Sequence, residues 1–176
     1  MTALPRLLML FSVVTAAAAV LATAVASALT TRAIPQRITA SGVGVVKLGT
    51  SYTSLRAAGR VGKIGPGCEL AGPQTRSSVL RPPLQGSVDY TNKAPRRVRV
   101  IAIRGGATAR GVGIGATAAK IKRVFPKATI DRTTENTFGI TLYKVPKGAG
   151  GRLQFAVATT TKKVVIIGIP FVAICD

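Results

Sequence analysis

Leu48-Gly49-Thr50-Ser51 and Ile114-Gly115-Ala116-Thr117 stand 66 residues apart, and so do Leu55-Arg56 and Ile121-Lys122. The same offset relates Arg97-Val98-Arg99-Val100-Ile101-Ala102-Ile103 to Lys163-Val164-Val165-Ile166-Ile167-Gly168-Ile169. Two matches at opposite ends of a segment, joined by one offset, are the mark of an internal repeat. Coincidence among Val, Ile and Gly, which abound here, is the competing reading. Each unit would begin at a Gly-flanked apolar residue, pass through a short helix and end in antiparallel strands.

Thr50 is placed to cap a helix running to Ala58, which Gly59 would stop. In the second unit Ala118, Ile121 and Phe125 share one helical face, Lys120 and Arg123 fall outside it, and Pro126 ends the helix at Phe125. Helices of this length are marginal alone and must pack on something. The remaining segments predict strands at 77–80, 86–90, 97–104, 137–145, 153–157 and 163–169, separated by Pro82-Pro83, the turn from Asn92 to Pro95, Gly105-Gly106 and Lys147 to Gly151. The stretch Val164 to Ile174 is β-branched and broken by Gly168 and Pro170, which suits a buried central strand better than a helix. These elements predict an α+β fold of two related units, 43–106 and 107–176. Each is a short helix followed by an antiparallel strand meander, and the two are packed as one compact domain.

Ahead of them, Arg6 is followed by an uncharged run from Leu7 to Thr31 rich in Leu, Val and Ala, ending in the small-x-small sites Ala24-Val25-Ala26 and Ala26-Ser27-Ala28. This is a signal-peptide pattern, with residues 1–28 removed and 29–42 left as an extended linker. An uncleaved membrane anchor is the alternative, since the run is long enough to cross a bilayer core. Export would place the chain outside the cell or at the cell wall. The abundance of Ala, Arg, Gly and Val hints at a GC-rich bacterial genome.

Export also bears on the cysteines. Cys68 and Cys175 are the only two in the chain, and in an oxidising compartment such a pair usually closes. That bridge would tie the end of the chain to its first third and contribute up to about 4 to 5 kcal/mol in the chain-entropy model. Two buried free thiols are the other reading.

The chemistry is decided largely by what is missing. There is no histidine, which removes Ser-His-Asp and Cys-His nucleophile activation and leaves a poor ligand set for zinc. The acids are Glu69, Asp89, Asp131, Glu135 and Asp176. Asp131 and Glu135 are the one close pair that could be asked to act as facing carboxylates, but in a Thr-rich turn beside Arg132 they read as solvated or ion-paired. Arg110-Gly111-Val112-Gly113-Ile114-Gly115 lacks the Lys-Ser/Thr ending and the strand-helix context of a phosphate loop. It reads as the tight entry to a helix, with anion binding at that helix start, beside Arg110, as a weaker alternative. No enzyme, metal or cofactor is expected.

Positive charge is the functional signal. The chain carries 25 Lys and Arg against 5 Asp and Glu, a net charge of +20; since Arg6 is the only charge in residues 1–28, +19 remains on 29–176. Ordinary solubility needs only about 2 to 8 charges, and such an excess concentrates anions at the surface. The clusters are Arg96, Arg97 and Arg99; Lys120, Lys122 and Arg123; Lys144 and Lys147; and Lys162 and Lys163. The anion-binding candidates are Arg96, Arg97, Arg99, Lys120, Lys122, Arg123, Lys162 and Lys163. Three Tyr and four Phe beyond residue 28 are too few for a base-stacking platform, so sequence-specific nucleic-acid binding is not expected.

The two (Leu/Ile)-Gly-x-Thr/Ser helix entries, each followed by a short helix and a strand meander, resemble the repeat unit of the secreted beta-lactamase inhibitor proteins. They are also similar to the single unit of the small barrel-assembly lipoproteins. The likeness covers about residues 43 to 174 and implies helices packed on an antiparallel sheet. The tandem inhibitors carry a disulfide within each unit and an inhibitory face rich in aromatic and acidic residues. This chain has neither, so no functional residue carries over. The expectation is a basic, non-enzymatic binding protein at an anionic extracellular surface, either envelope polymer or lipid. The alternative is a protein-binding module or inhibitor of a secreted or wall enzyme.

Overall fold

The computed structural model describes residues 35–68, 74–146 and 152–174. Residues 1–34, on which the expected signal segment and its cleavage sites fall, and Cys175 lie outside the described residues. Among the described residues no helix is long and apolar enough to cross a membrane.

The architecture is α+β. The chain runs β1 (Gln36–Thr39), β2 (Gly42–Val43), β3 (Val46–Lys47), α1 (Tyr52–Ala57), β4 (Gly65–Pro66), β5 (Arg76–Val79), β6 (Gln85–Tyr90), β7 (Val98–Gly105) and β8 (Ala107–Thr108). It continues with α2 (Ala118–Val124), β9 (Thr129–Asp131), α3 (Glu135–Phe138), β10 (Ile140–Val145), β11 (Leu153–Ala158) and β12 (Val164–Ile169). One antiparallel sheet of eight strands has the order β4-β5-β6-β7-β12-β11-β10-β9. A small sheet, β3-β2-β1-β8, joins β1 to β8 in parallel.

The entry loops of α1 and α2 each supply a cap. Ser51 Oγ accepts from the Ser54 backbone N–H at 3.1 Å, and Thr117 Oγ1 from that of Lys120 at 3.3 Å, satisfying donors that the first turn would leave unpaired. The cap of α1 is thus Ser51, where Thr50 was expected. Thr50 instead gives its carbonyl to the Val98 N–H, which pins the loop to the sheet and moves the cap one residue on. Leu55 and Ile121 point from the two helices into the core.

Positions 66 residues apart make the same contacts. Gly49 N–H donates to Val98 O and Gly115 N–H to Val164 O, each at 2.8 Å; Val98 N–H donates to Thr50 O and Val164 N–H to Ala116 O. Both glycines take φ near +80°, a left-handed conformation that side-chain-bearing residues rarely adopt. Bridges join Ser51 to Arg97 and Thr117 to Lys163. Register breaks in both half-sheets, between β6 and β7 at Gln85/Gly86 and Asp89/Tyr90 and between β11 and β12 at Ala156/Val157.

The main core lies on one face of the large sheet, under the helices and the small sheet. Val88, Tyr90, Ile101, Ile103, Phe155, Ile167 and Ile169 meet Leu55, Ile121, Phe125, Val43 and Val46 there. Each large aliphatic buried in this way contributes on the order of 1.5–3 kcal/mol. A smaller cluster on the opposite face holds Ala102, Leu142, Ala156, Ile166 and Val172.

Three sequence expectations change. Residues 36–39 are no loose linker: Ile38 is buried and β1 pairs on both sides. The strand expected at 137–145 begins only at Ile140, because Glu135–Phe138 makes a helical turn that Gly139 closes in the left-handed region. The strand expected to run through Ile174 stops at Ile169. The chain then turns back over the sheet, where the Val172 N–H donates to Gln154 Oε1 at 3.0 Å.

Candidate anion-binding surface

Three carboxylates fall among the described residues, and each is engaged. Asp131 Oδ2 meets Lys144 Nζ at 2.5 Å, while Oδ1 accepts from the Thr133 N–H and hydroxyl. The Lys144 bond, then the two from Thr133, hold this carboxyl well below the usual range. Glu135 Oε2 lies 3.7 Å from Arg132, and its Oε1 accepts from the Thr141 hydroxyl at 2.5 Å. Asp89 is pushed up by burial and drawn back by the charge of Arg99. Asp131 and Glu135 are therefore each ion-paired, at the end of β9 and the start of α3.

The eight cations expected to bind anions are engaged in different ways. Arg96 donates to the carbonyls of Thr91 and Asn92, Arg97 to Gly49 O at 3.0 Å, and Lys122 to Ala128 O at 2.9 Å. These side chains spend donors on holding loops. Arg99 faces Asp89, and Lys120 is half-buried on α2. Arg123, Lys162 and Lys163 are exposed.

The hexapeptide around Arg110 is a hairpin followed by the helix entry. Ala109 and Val112 exchange both backbone hydrogen bonds around Arg110 (φ 50°) and Gly111 (φ 78°). The Arg110 guanidinium lies over the Phe125 ring, 5.6 Å from its centroid. Phe125 caps the far end of α2, so Arg110 is not placed to serve an anion at the helix start.

Sequence reading missed a different pair. Arg60 and Arg81 lie 21 positions apart, and neither belongs to a charge cluster. The Val61–Leu80 bridge and the bond from Arg81 N–H to Arg60 O, 3.0 Å, set them side by side across two chain segments. They line an open cavity of about 140 Å³ with Gln36, Val43, Val46 and Leu84. A second cavity, of about 130 Å³, is lined by Arg37, Arg110 and Phe125. Only the strand pairing brings Arg60 and Arg81 together, so no local motif could have flagged them.

Cys68 Sγ lies 3.8 Å from the carbonyl oxygen of Ile174, the residue before Cys175. Among the described residues no cluster of three or more Cys, Asp or Glu could hold a metal ion. Comparison with protein-family models, with curated proteins and with solved structures finds no match.

Proposed function

We propose that this chain is an exported, cationic, non-enzymatic binding protein retained at an anionic extracellular surface, either envelope polymer or lipid headgroups. In this reading the two halves are versions of one helix-and-meander unit, of the kind the secreted inhibitors resemble, and a Cys68–Cys175 bridge holds the end of the chain. The hydrogen bonds shared at a 66-residue spacing support the first point, and the approach of Cys68 to Ile174 supports the second.

One observation carries the functional reading. The described carboxylates are already answered by Lys144, Arg132 and Arg99, while Arg60, Arg81, Arg123, Lys162 and Lys163 stand exposed with no acid paired to them among the described residues. Positive charge is left over on the surface, with nothing in the described fold to neutralise it. Such charges act collectively and are screened over about 10 Å at 0.1 M salt and about 3 Å at 1 M.

The test is stepwise salt elution of the purified protein from cell envelopes of its producer. Release below about 0.5 M salt is expected, because the screening length is by then only a few ångströms. Retention through 1 M would overturn the reading in favour of a specific protein interface.

A further inference from the structure

We infer that the cavity between Arg60 and Arg81 is a discrete site for the phosphate group of a polyol phosphate ester, from either a lipid headgroup or a soluble ester. The inference rests on the anionic-surface reading and adds to it one place where binding is stoichiometric.

The arginines stand opposite each other across an antiparallel bridge, where like charges destabilise the pairing. Other long cations near α1, α2 and β7 donate to backbone carbonyls, as Arg56 does to Val61 O, Arg97 to Gly49 O and Lys122 to Ala128 O. Neither Arg60 nor Arg81 has a hydrogen-bond partner or an acid for its guanidinium among the described residues. Two arginines that line one cavity, with no protein partner for either guanidinium among the described residues, offer phosphate the bidentate forks it pairs with.

The backbone holds them in place. Gly59, at φ 66°, turns the chain out of α1 directly before Arg60. Arg81 is followed by Pro82-Pro83, and its carbonyl accepts from the Leu84 N–H, so little backbone freedom remains to be lost on binding. The floor is apolar, from the buried Val43, Val46 and Leu84, which suits the carbons next to a phosphate ester. The Gln36 amide completes the wall.

The experiment titrates the full chain with inorganic phosphate, with glycerol 3-phosphate and with phosphatidylglycerol vesicles, following affinity and the arginine Nε resonances. Three double variants are compared with the parent. Arg60→Gln with Arg81→Gln should weaken ester binding by about tenfold or more, and Arg60→Lys with Arg81→Lys should also weaken it, since charge is kept but the fork is lost. Lys127→Gln with Arg152→Gln, which removes the same charge from exposed sites elsewhere, should change affinity by less than about twofold, as a screened surface effect.

Loss on vesicles alone assigns the site to lipid, and loss on the soluble ester alone assigns it to free phosphate esters. Equal weakening by the two Gln pairs overturns the site while leaving salt-released envelope binding intact. No ester or vesicle binding by the parent overturns it as well. Melting curves of each variant check folding, and the Lys pair decides the matter if the Gln pair fails to fold.

Discussion

Ala102 and Gly168 stand opposite each other where β7 meets β12, flanked by the pairs Ile101–Ile169 and Ile103–Ile167. The three pairs read the same from either strand, so a two-fold exchange centred on Ala102 and Gly168 maps β7 onto β12. The exchange fails on the outer face, where the chain after Ile169 folds back over Gly168, whereas β7 runs on past Ile103 to Gly105.

Gly168 is glycine for that reason. A Cβ there would lie 2.2 Å from Phe171 O and 2.4 Å from Val172 N, both backbone atoms that cannot step aside. Gly168→Ala is expected to cost about 1–3 kcal/mol, as overpacking does, and to lift the segment from Phe171 to Ile174. Ala102→Gly should cost about 1 kcal/mol or less. Urea unfolding measures the first effect and limited proteolysis near Phe171 the second; equal costs for the two substitutions would refute the account.

The Ser78 and Tyr90 hydroxyls bond at 2.6 Å inside the core. Tyr90→Phe leaves the Ser78 hydroxyl buried without that partner, at a cost of about 1–3 kcal/mol. Adding Ser78→Ala should recover part of the loss, since an apolar pair needs no partner. A double-mutant cycle in chemical denaturation reads the coupling, and strictly additive losses would mean that the bond contributes nothing specific.

Ser51→Ala and Thr117→Ala should each destabilise by about 1 kcal/mol through loss of a helix cap. The two caps serve different helices, so their effects should add within about 0.5 kcal/mol. Thr50→Ala should leave the helix cap intact, because that residue bonds through its backbone. Thermal unfolding ranks the three.

Asp131 and Asp89 should give opposite pH dependences. The lowered Asp131 contributes stability above the ordinary aspartate value near 3.9, and that contribution is lost as pH falls through its folded value. Asp131→Asn should therefore be less stable than the parent at pH 6, with the gap closing in acid. For the raised Asp89 the contribution is present below about 3.9 and is lost as pH rises through its folded value. The parent should thus lose ground to Asp89→Asn as pH rises. Carboxyl NMR titration with denaturation at several pH values checks both signs.

The helix entries and the β7 and β12 strands were legible because they keep one spacing. The strands between them drift. Val88 and Phe155, opposite Ile101 and Ile167, are 67 apart, whereas Ser78 and Tyr143, opposite Val88 and Phe155, are 65 apart. Along the second half, one residue is lost before these strands, two are gained between them and one is lost after them; the changes cancel, which hides the middle of each half from any constant offset. Thr137 and Phe138 read as strand because the alternation of 140–145 was extended backwards across Gly139. β1 was hidden because it and its hairpin partner β2 are only four and two residues long, while its other partner β8 lies some 70 residues on and leaves no local period. Arg60 and Arg81 were invisible for the same reason, while the charge clusters that were visible turned out partly to brace loops.

The order of strands also sets an order in time. β4 to β7 are consecutive in both chain and sheet, so the first half can assemble as it emerges from a ribosome or an export pore. The neighbour of β7 is β12, the last strand made. Until Val164–Ile169 arrives, the hydrogen-bonding edge of β7 stays open on a half-finished sheet, a template for association with other chains. Pairing of the whole sheet therefore waits for β12, and until then the open edge of β7 is an aggregation hazard.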